Sequence, residues 1–208
     1  MIILDLLKKT TSLETFLLCS AALANLSSLL PLSLPTLTSA SLLPVLLLHP
    51  ASSSASVYIQ DQVVTVLANL AKVPAARTQI LGAGGVTALV RTLSTGCPDP
   101  RDPALVAATE RTVSKAAIAL ARLCLEPASA DQVVRVGGLD RLLELARGAA
   151  GPADTVKIAA MAAIKTVTVY CSARLELDLE EVEGVEGGNK GCGYYTTETP
   201  ISSLESFV

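Results

Sequence analysis

At 208 residues, half of them apolar but only 3% aromatic and without a tryptophan, the chain is long enough to bury a core built from alanine, leucine and valine. Its formal net charge of −3 conceals a division: residues 1–174 carry 15 Lys or Arg against 11 Asp or Glu, whereas the stretch from Leu175 onward carries one Lys against eight acids. A mildly basic body without a dense Lys/Arg stripe, followed by an acidic tail, argues against a nucleic-acid binder.

In chain order, Ile3 to Lys9 reads as a short helix and Leu13 to Leu26 as a long one. No charged residue occurs between Glu14 and Asp61, and Phe16 to Leu34 has the length of a bilayer span. Asn25, Ser27 and Ser28 interrupt that run, Pro31 and Pro35 break it, and neither Trp nor Tyr anchors its ends, so no membrane span is expected. A helix apolar all round suits the buried layer of a stacked array instead. No basic leader precedes an Ala-x-Ala site, so no secretory signal is expected. Two stretches rich in Ser, Thr and Pro, Ser27 to Ser41 and Pro50 to Ser56, read as irregular loops on either side of a helix around Leu42 to Leu46.

The next elements are sharper. A long helix is expected from about Tyr58 to Lys72, with Val63, Val64, Leu67 and Leu70 on one stripe and Pro74 ending it. A short helix, about Ala75 to Gly82, leads into a Gly84-Gly85 corner and a further helix, Val86 to Leu93. Glycine suits a tight corner between helices, which needs positive backbone angles and close approach. After a loop, Gly96 to Pro103, that should project into solvent, the cycle recurs: a long helix ending near Leu125, a short one about Asp131 to Val136, a Gly137-Gly138 corner and a helix Leu139 to Arg147. One register shift aligns Leu67-Ala68-Asn69-Leu70 with Leu120-Ala121-Arg122-Leu123 and Pro74 with Pro127; the same shift aligns Gly84-Gly85 with Gly137-Gly138. That is an internal repeat and not shared composition. A last long helix, about Thr155 to Cys171, follows Gly151-Pro152; Ala22 to Leu26 parallels Val66 to Leu70, and Leu42 to Leu46 parallels Gly85 to Leu89.

This period, with its glycine corner, resembles the armadillo repeat over about residues 1–172; helical repeats of the HEAT kind are the structural competitor. The resemblance implies an all-α solenoid of about three and a half repeats over residues 1–174, stacked so that the long helices line a concave groove. The chain begins in mid-repeat, as a fragment would, and its N-terminal face lacks a capping repeat and should be sticky. Armadillo proteins that hold extended peptides use an asparagine on the long helix, and Asn25 and Asn69 stand at that place, with Arg122 and Thr166 in the next two copies. An asparagine amide donates and accepts toward a peptide bond, and Arg122 would favour an acidic ligand, the chain's own tail being one candidate. Polar residues on a solvated helix face are the competing reading of the same positions.

Residues 175–208 are expected to be a disordered tail. Six acids between Glu176 and Glu186 repel one another, and the Gly-rich run from Gly184 to Gly193 adds flexibility. Leu175, Leu177 and Leu179, alternating with acids, suit either a solvated linker or a strand added to a partner. The chain ends in Glu205-Ser206-Phe207-Val208, the pattern of a PDZ-domain ligand: Val208 fills a pocket, its carboxylate is held by backbone amides, Ser206 supplies a hydroxyl and Glu205 tunes selectivity. An armadillo body, an acidic Gly-bearing tail and this terminus together resemble the carboxy-terminal part of the Inscuteable family of polarity adaptors. That resemblance implies a cytoplasmic scaffold at the cell cortex in asymmetric cell division, which binds a PDZ domain of the Par polarity complex and is linked to spindle-orientation machinery. An armadillo protein of another class, such as the substrate-binding region of a transport receptor or a ubiquitin ligase, is the alternative, acting through its groove.

Catalysis finds no footing. Gly82 to Gly85 and Gly187 to Gly191 do not complete a phosphate-loop spacing, and no G-x-S-x-G elbow occurs. The one histidine, His49, cannot head a metal cluster or pair with the dispersed carboxylates, so neither metal nor cofactor is expected. Cys19, Cys97, Cys124, Cys171 and Cys192 are scattered without a C-x-x-C pair and read as reduced thiols, three of them on buried helical faces.

Overall fold

The computed structural model describes residues 2–29, 42–48, 56–148 and 153–171. Every regular element among them is an α-helix: α1 Ile2–Lys9, α2 Leu13–Leu29, α3 Leu42–Leu48, α4 Val57–Leu70, α5 Pro74–Gly82, α6 Gly85–Leu93, α7 Pro103–Leu123, α8 Pro127–Arg135, α9 Gly138–Arg147 and α10 Asp154–Tyr170.

Local chemistry sets the boundaries. Pro74, Pro103 and Pro127 each open a helix at its first position, where the missing N–H is no loss and the fixed φ is already helical. Two of these prolines start the short helices earlier than the hydrophobic pattern indicates: α8 begins at Pro127, four residues ahead of Asp131. Asp102 caps α7, its carboxylate accepting from the amides of Ala104 at 2.8 Å and Leu105 at 3.4 Å. At each corner the paired glycines divide the work. Gly84 and Gly137 adopt φ of +81° and +74°, the left-handed region. Gly85 and Gly138 give close approach: a methyl on Gly85 would lie 2.9 Å from the Ile80 carbonyl oxygen, and one on Gly138 would lie 2.7 Å from Val90 Cγ2.

The long helices α2, α4, α7 and α10 pack in succession, each on the one before; α1, α3, α6 and α9 form a second layer in the same order. The short α8 packs at the junction of α6, α9 and α10. This parallel succession of three-helix units is an armadillo-type α-solenoid. Its core repeats with the units: Leu23, Leu67, Leu120 and Ile164 hold one place on the four long helices, and all are buried. Each contributes about 1.5–3 kcal/mol relative to an exposed side chain.

Helix α2 runs to Leu29, beyond the expected end at Leu26. Ser27 does not break it because its hydroxyl donates to the Ala24 carbonyl at 2.8 Å within the same helix. The loop after α6 is irregular, and Pro98 to Arg101 are exposed as expected. No helix among the described residues is long and apolar enough to cross a membrane. Of the expected loops at 27–41 and 50–56, residues 30–41 and 50–55 lie outside the described residues, as does the expected tail, 175–208.

Candidate functional site

The four polar positions aligned on the long helices have four different fates. Asn25 on α2 is exposed, as a ligand-binding residue requires. Asn69 on α4 is completely buried, its Nδ2 donating to Ser27 Oγ on α2 at 3.0 Å, while its Oδ1 finds no hydrogen-bond partner among the described residues. Arg122 on α7 is 7% exposed and donates from Nη1 to the carbonyl oxygen of Ala68 at 2.9 Å. Thr166 on α10 is half-buried and turns its hydroxyl onto its own helix, donating to the Ala162 carbonyl at 3.0 Å.

The four positions named for the groove therefore do not lie together on one open surface, since Asn69 and Arg122 are buried. Asn69 and Arg122 reach back to the preceding long helix and hold neighbouring units together. The physical reason for Arg122 is plain: the last carbonyls of α4 have no intrahelical donors and carry the negative end of the helix dipole, where a guanidinium is favoured. Asn25 and Thr166 remain at the surface but are separated along the ladder by these two enclosed positions.

The same joint holds a charged cluster that sequence reasoning missed. Asp61 on α4 is buried, and its Oδ1 lies 3.1 Å from Lys115 Nζ on α7 while its Oδ2 lies 3.3 Å from Arg111 Nε. The Oδ1 contact is an ion pair without hydrogen-bond alignment, and Lys115 Nζ donates instead to Thr65 Oγ1 at 2.8 Å. The signal was present, since Asp61 is an acid inside an apolar stripe and the repeat register puts Lys115 close to its equivalent. Arg141 on α9 makes a further joint, donating from Nε to the Leu93 carbonyl at the end of α6, 3.1 Å away.

A cavity of about 200 Å³ lies between α3, α4 and α6, lined by Leu47, Val63 and Leu89 among apolar groups and by Gln60, Arg91 and Thr95 among polar ones. It is smaller than the roughly 300–1,000 Å³ of small-molecule sites. No group of three or more His, Cys, Asp or Glu side chains that could hold a metal is found among the described residues. Cys19 and Cys124 are buried, Cys97 and Cys171 half-buried. Burial pushes the Cys124 thiol up to about 12, and neighbouring Cys171 adds to the shift, so Cys124 is neutral and unreactive near pH 7. Glu205 to Val208 lie outside the described residues.

With this geometry in place, the comparisons separate the remaining readings. The model of the family described as "Protein inscuteable C-terminal" matches residues 1–182. The chain belongs to the Inscuteable family. The Inscuteable homologue of Mus musculus is 34% identical over 178 residues, and that of Homo sapiens is 35% identical over 179; each alignment covers 84% of this chain and 31% of the relative. The chain thus spans under a third of the length of the Inscuteable homologues it matches. Among solved structures, an engineered protein superimposes with a TM-score of 0.65 at 25% identity, over 80% of this chain and 37% of its own. A designed armadillo repeat protein superimposes with a TM-score of 0.62 at 20% identity, over 79% of this chain and 63% of its own. The latter likeness gives the fold alone, and it favours armadillo over HEAT geometry for this Inscuteable-family body.

Proposed function

We propose that the chain is a non-catalytic adaptor that joins the cortical Par polarity complex to the spindle-orientation machinery in asymmetric cell division. Membership of the Inscuteable family over residues 1–182 carries this reading. In it the helical body acts as a rigid platform and the terminus is the hook. Val208 enters the apolar pocket of a PDZ domain of a Par-complex scaffold, its carboxylate meets the pocket's backbone amides, Ser206 donates its hydroxyl and Glu205 sets selectivity. The reading needs a free carboxylate on Val208.

The experiment is a titration of that PDZ domain with a peptide of the last ten residues, as free acid and as terminal amide, beside capture of the intact chain and of a chain lacking Val208. Binding by the acid and the intact chain only is the expected result. Equal binding by the amide, or capture that survives removal of Val208, overturns the proposal and returns the function to the long helices. There, peptide capture of the kind seen in transport receptors or ubiquitin-ligase substrate binding has Asn25 and Thr166 at the surface, but Asn69 and Arg122 are occupied between units.

A further inference from the structure

Two serines among the described residues stand three places after an arginine: Ser94 in Arg91-Thr92-Leu93-Ser94 and Ser114 in Arg111-Thr112-Val113-Ser114. Arginine-directed protein kinases grip that spacing, acidic groups in their cleft taking the guanidinium. A kinase needs its substrate extended, so the fold decides between the two. Ser114 lies within the 21-residue α7 and donates to the Thr155 carbonyl of α10 at 3.4 Å. Ser94 is exposed, caps the end of α6 and leads into the irregular stretch that runs to Asp102.

The surroundings of Ser94 are cationic. Residues three apart are neighbours on a helix, which puts exposed Arg91 on the Ser94 side of α6. From α9, Arg141 donates through Nε to the Leu93 carbonyl at 3.1 Å, and that carbonyl belongs to the peptide bond joining Leu93 to Ser94. Nη1 of the same guanidinium meets Glu144 at 2.7 Å, a side chain 61% exposed. A phosphate on Ser94 competes for Arg141 only with this solvent-weakened pair.

We infer that Ser94 is a phosphorylation site for an arginine-directed kinase and that Arg91 and Arg141 receive its phosphate, locking α6 to α9. The Ser94 hydroxyl oxygen attacks the γ-phosphorus of a nucleoside triphosphate. The bond from that phosphorus to the β,γ-bridging oxygen breaks, the diphosphate leaves, and the hydroxyl proton passes to the kinase's base. Leu93 is fully buried, so the kinase takes the segment only while the last turn of α6 is open. Three kinds of tie hold that turn shut. The amides of Ser94 and Thr95 bond the carbonyls of Arg91 and Thr92 at 3.1 and 3.0 Å, the Thr95 hydroxyl bonds Gln60 Oε1 at 3.2 Å, and Arg141 holds Leu93. Arg141 thus guards the unmodified turn and receives the modified one. The negative end of the α6 dipole opposes a phosphate there, and two guanidinium groups outweigh one helix end.

The test is incubation of the 208-residue chain with Mg-ATP and the catalytic subunit of cyclic-AMP-dependent kinase, an arginine-directed enzyme, with phosphate located by peptide mass spectrometry. Ser94 should be modified and Ser114 left bare. Arg91→Ala should slow the reaction by about tenfold or more, whereas Arg141→Gln, which frees the turn, should quicken it. The phosphorylated chain should unfold at least about 2 °C above the unmodified one. That rise should vanish in Arg141→Gln and survive in part in Arg141→Lys, which carries the test if the glutamine variant loses its helical signal in circular dichroism. A chain left bare at Ser94 while a peptide of residues 88–98 is modified overturns the proposal. So does modification indifferent to Arg91, Ser114 modified as fast as Ser94, or an unfolding temperature that phosphorylation leaves unchanged or lowers.

Discussion

Arg122 of α7 donates from Nη1 to the carbonyl oxygen of Ala68, 2.9 Å away in the last turn of α4. A residue placed where a peptide ligand would be gripped is instead a clamp between two units of the body. The amides of Ala71, Lys72 and Val73 take the carbonyls of Leu67, Asn69 and Leu70, and the guanidinium of Arg122 takes that of Ala68.

Arg122→Ala should therefore lower stability without touching the proposed ligand capture by the terminus. A hydrogen bond to a charged group is worth about 1.5–3 kcal/mol, and that is the expected loss in urea unfolding. Arg122→Lys should recover part of it by keeping a cation at the end of α4. An unchanged unfolding midpoint in the alanine variant would remove the clamp.

The glycine corners make a graded prediction. Gly84→Ala and Gly137→Ala force a side chain into positive φ, at a cost of about 1–2 kcal/mol each. Gly138→Ala also drives a methyl to within 2.8 Å of Val133 Cγ1, and such overpacking adds about 1–3 kcal/mol. Gly96→Ala, with nothing within 4 Å of the new methyl, is the neutral control. Thermal unfolding of the series checks the order.

Cys124 gives the body a response to alkali. Its thiol is held at about 12 in the fold against an ordinary value of 9.0, chiefly by burial and then by Cys171. Above pH 9.0 the unfolded chain gives up this proton before the folded one does. The stabilisation is therefore whole below pH 9.0 and is lost as pH rises toward about 12. Cys124→Ala should flatten that decline in pH-dependent unfolding, and iodoacetamide at pH 8 should label Cys97 well before Cys124.

Phosphorylation of Ser206 is the fourth test. A phosphate adds nearly two negative charges where the proposed pocket expects a neutral hydroxyl. A peptide of the last ten residues carrying phosphoserine should bind the PDZ domain at least about tenfold more weakly, a change of about 1.4 kcal/mol in binding free energy. Equal affinity would take Ser206 out of the contact.

The architecture was legible because its determinants are local. Gly84-Gly85 and Gly137-Gly138 recur at one spacing, and Leu67 and Leu120 sit in one register, so unit, corner and core were readable without coordinates. Helix starts at Pro74 and Pro127 were misplaced by weighing apolar period above the preference of proline for a first turn. The burial of Asn69 and Arg122 was not legible for a different reason. Register says that Asn25, Asn69 and Arg122 are equivalent on their own helices, but exposure depends on the neighbour. Ser27 meets Asn69 and the end of α4 meets Arg122, whereas the side chain of Asn25 is exposed. Pairing across 42 or 54 residues of chain is invisible to a pattern that reads one helix at a time.

Thr166 bonding to its own helix has a dynamic consequence. Asn69 and Arg122 tie the C-terminal halves of α4 and α7 to the long helix before, whereas α10 meets α7 near its start, from Ala153 to Glu110 and from Ser114 to Thr155, and its end is held to α8, where Cys171 Sγ donates to Asp131 Oδ1 at 3.2 Å. The turns of α10 around Thr166 should exchange with deuterium before the matching turns of α4 around Asn69 and of α7 around Arg122. A body built this way breathes within its last long helix while the joints at Asn69 and Arg122 stay closed.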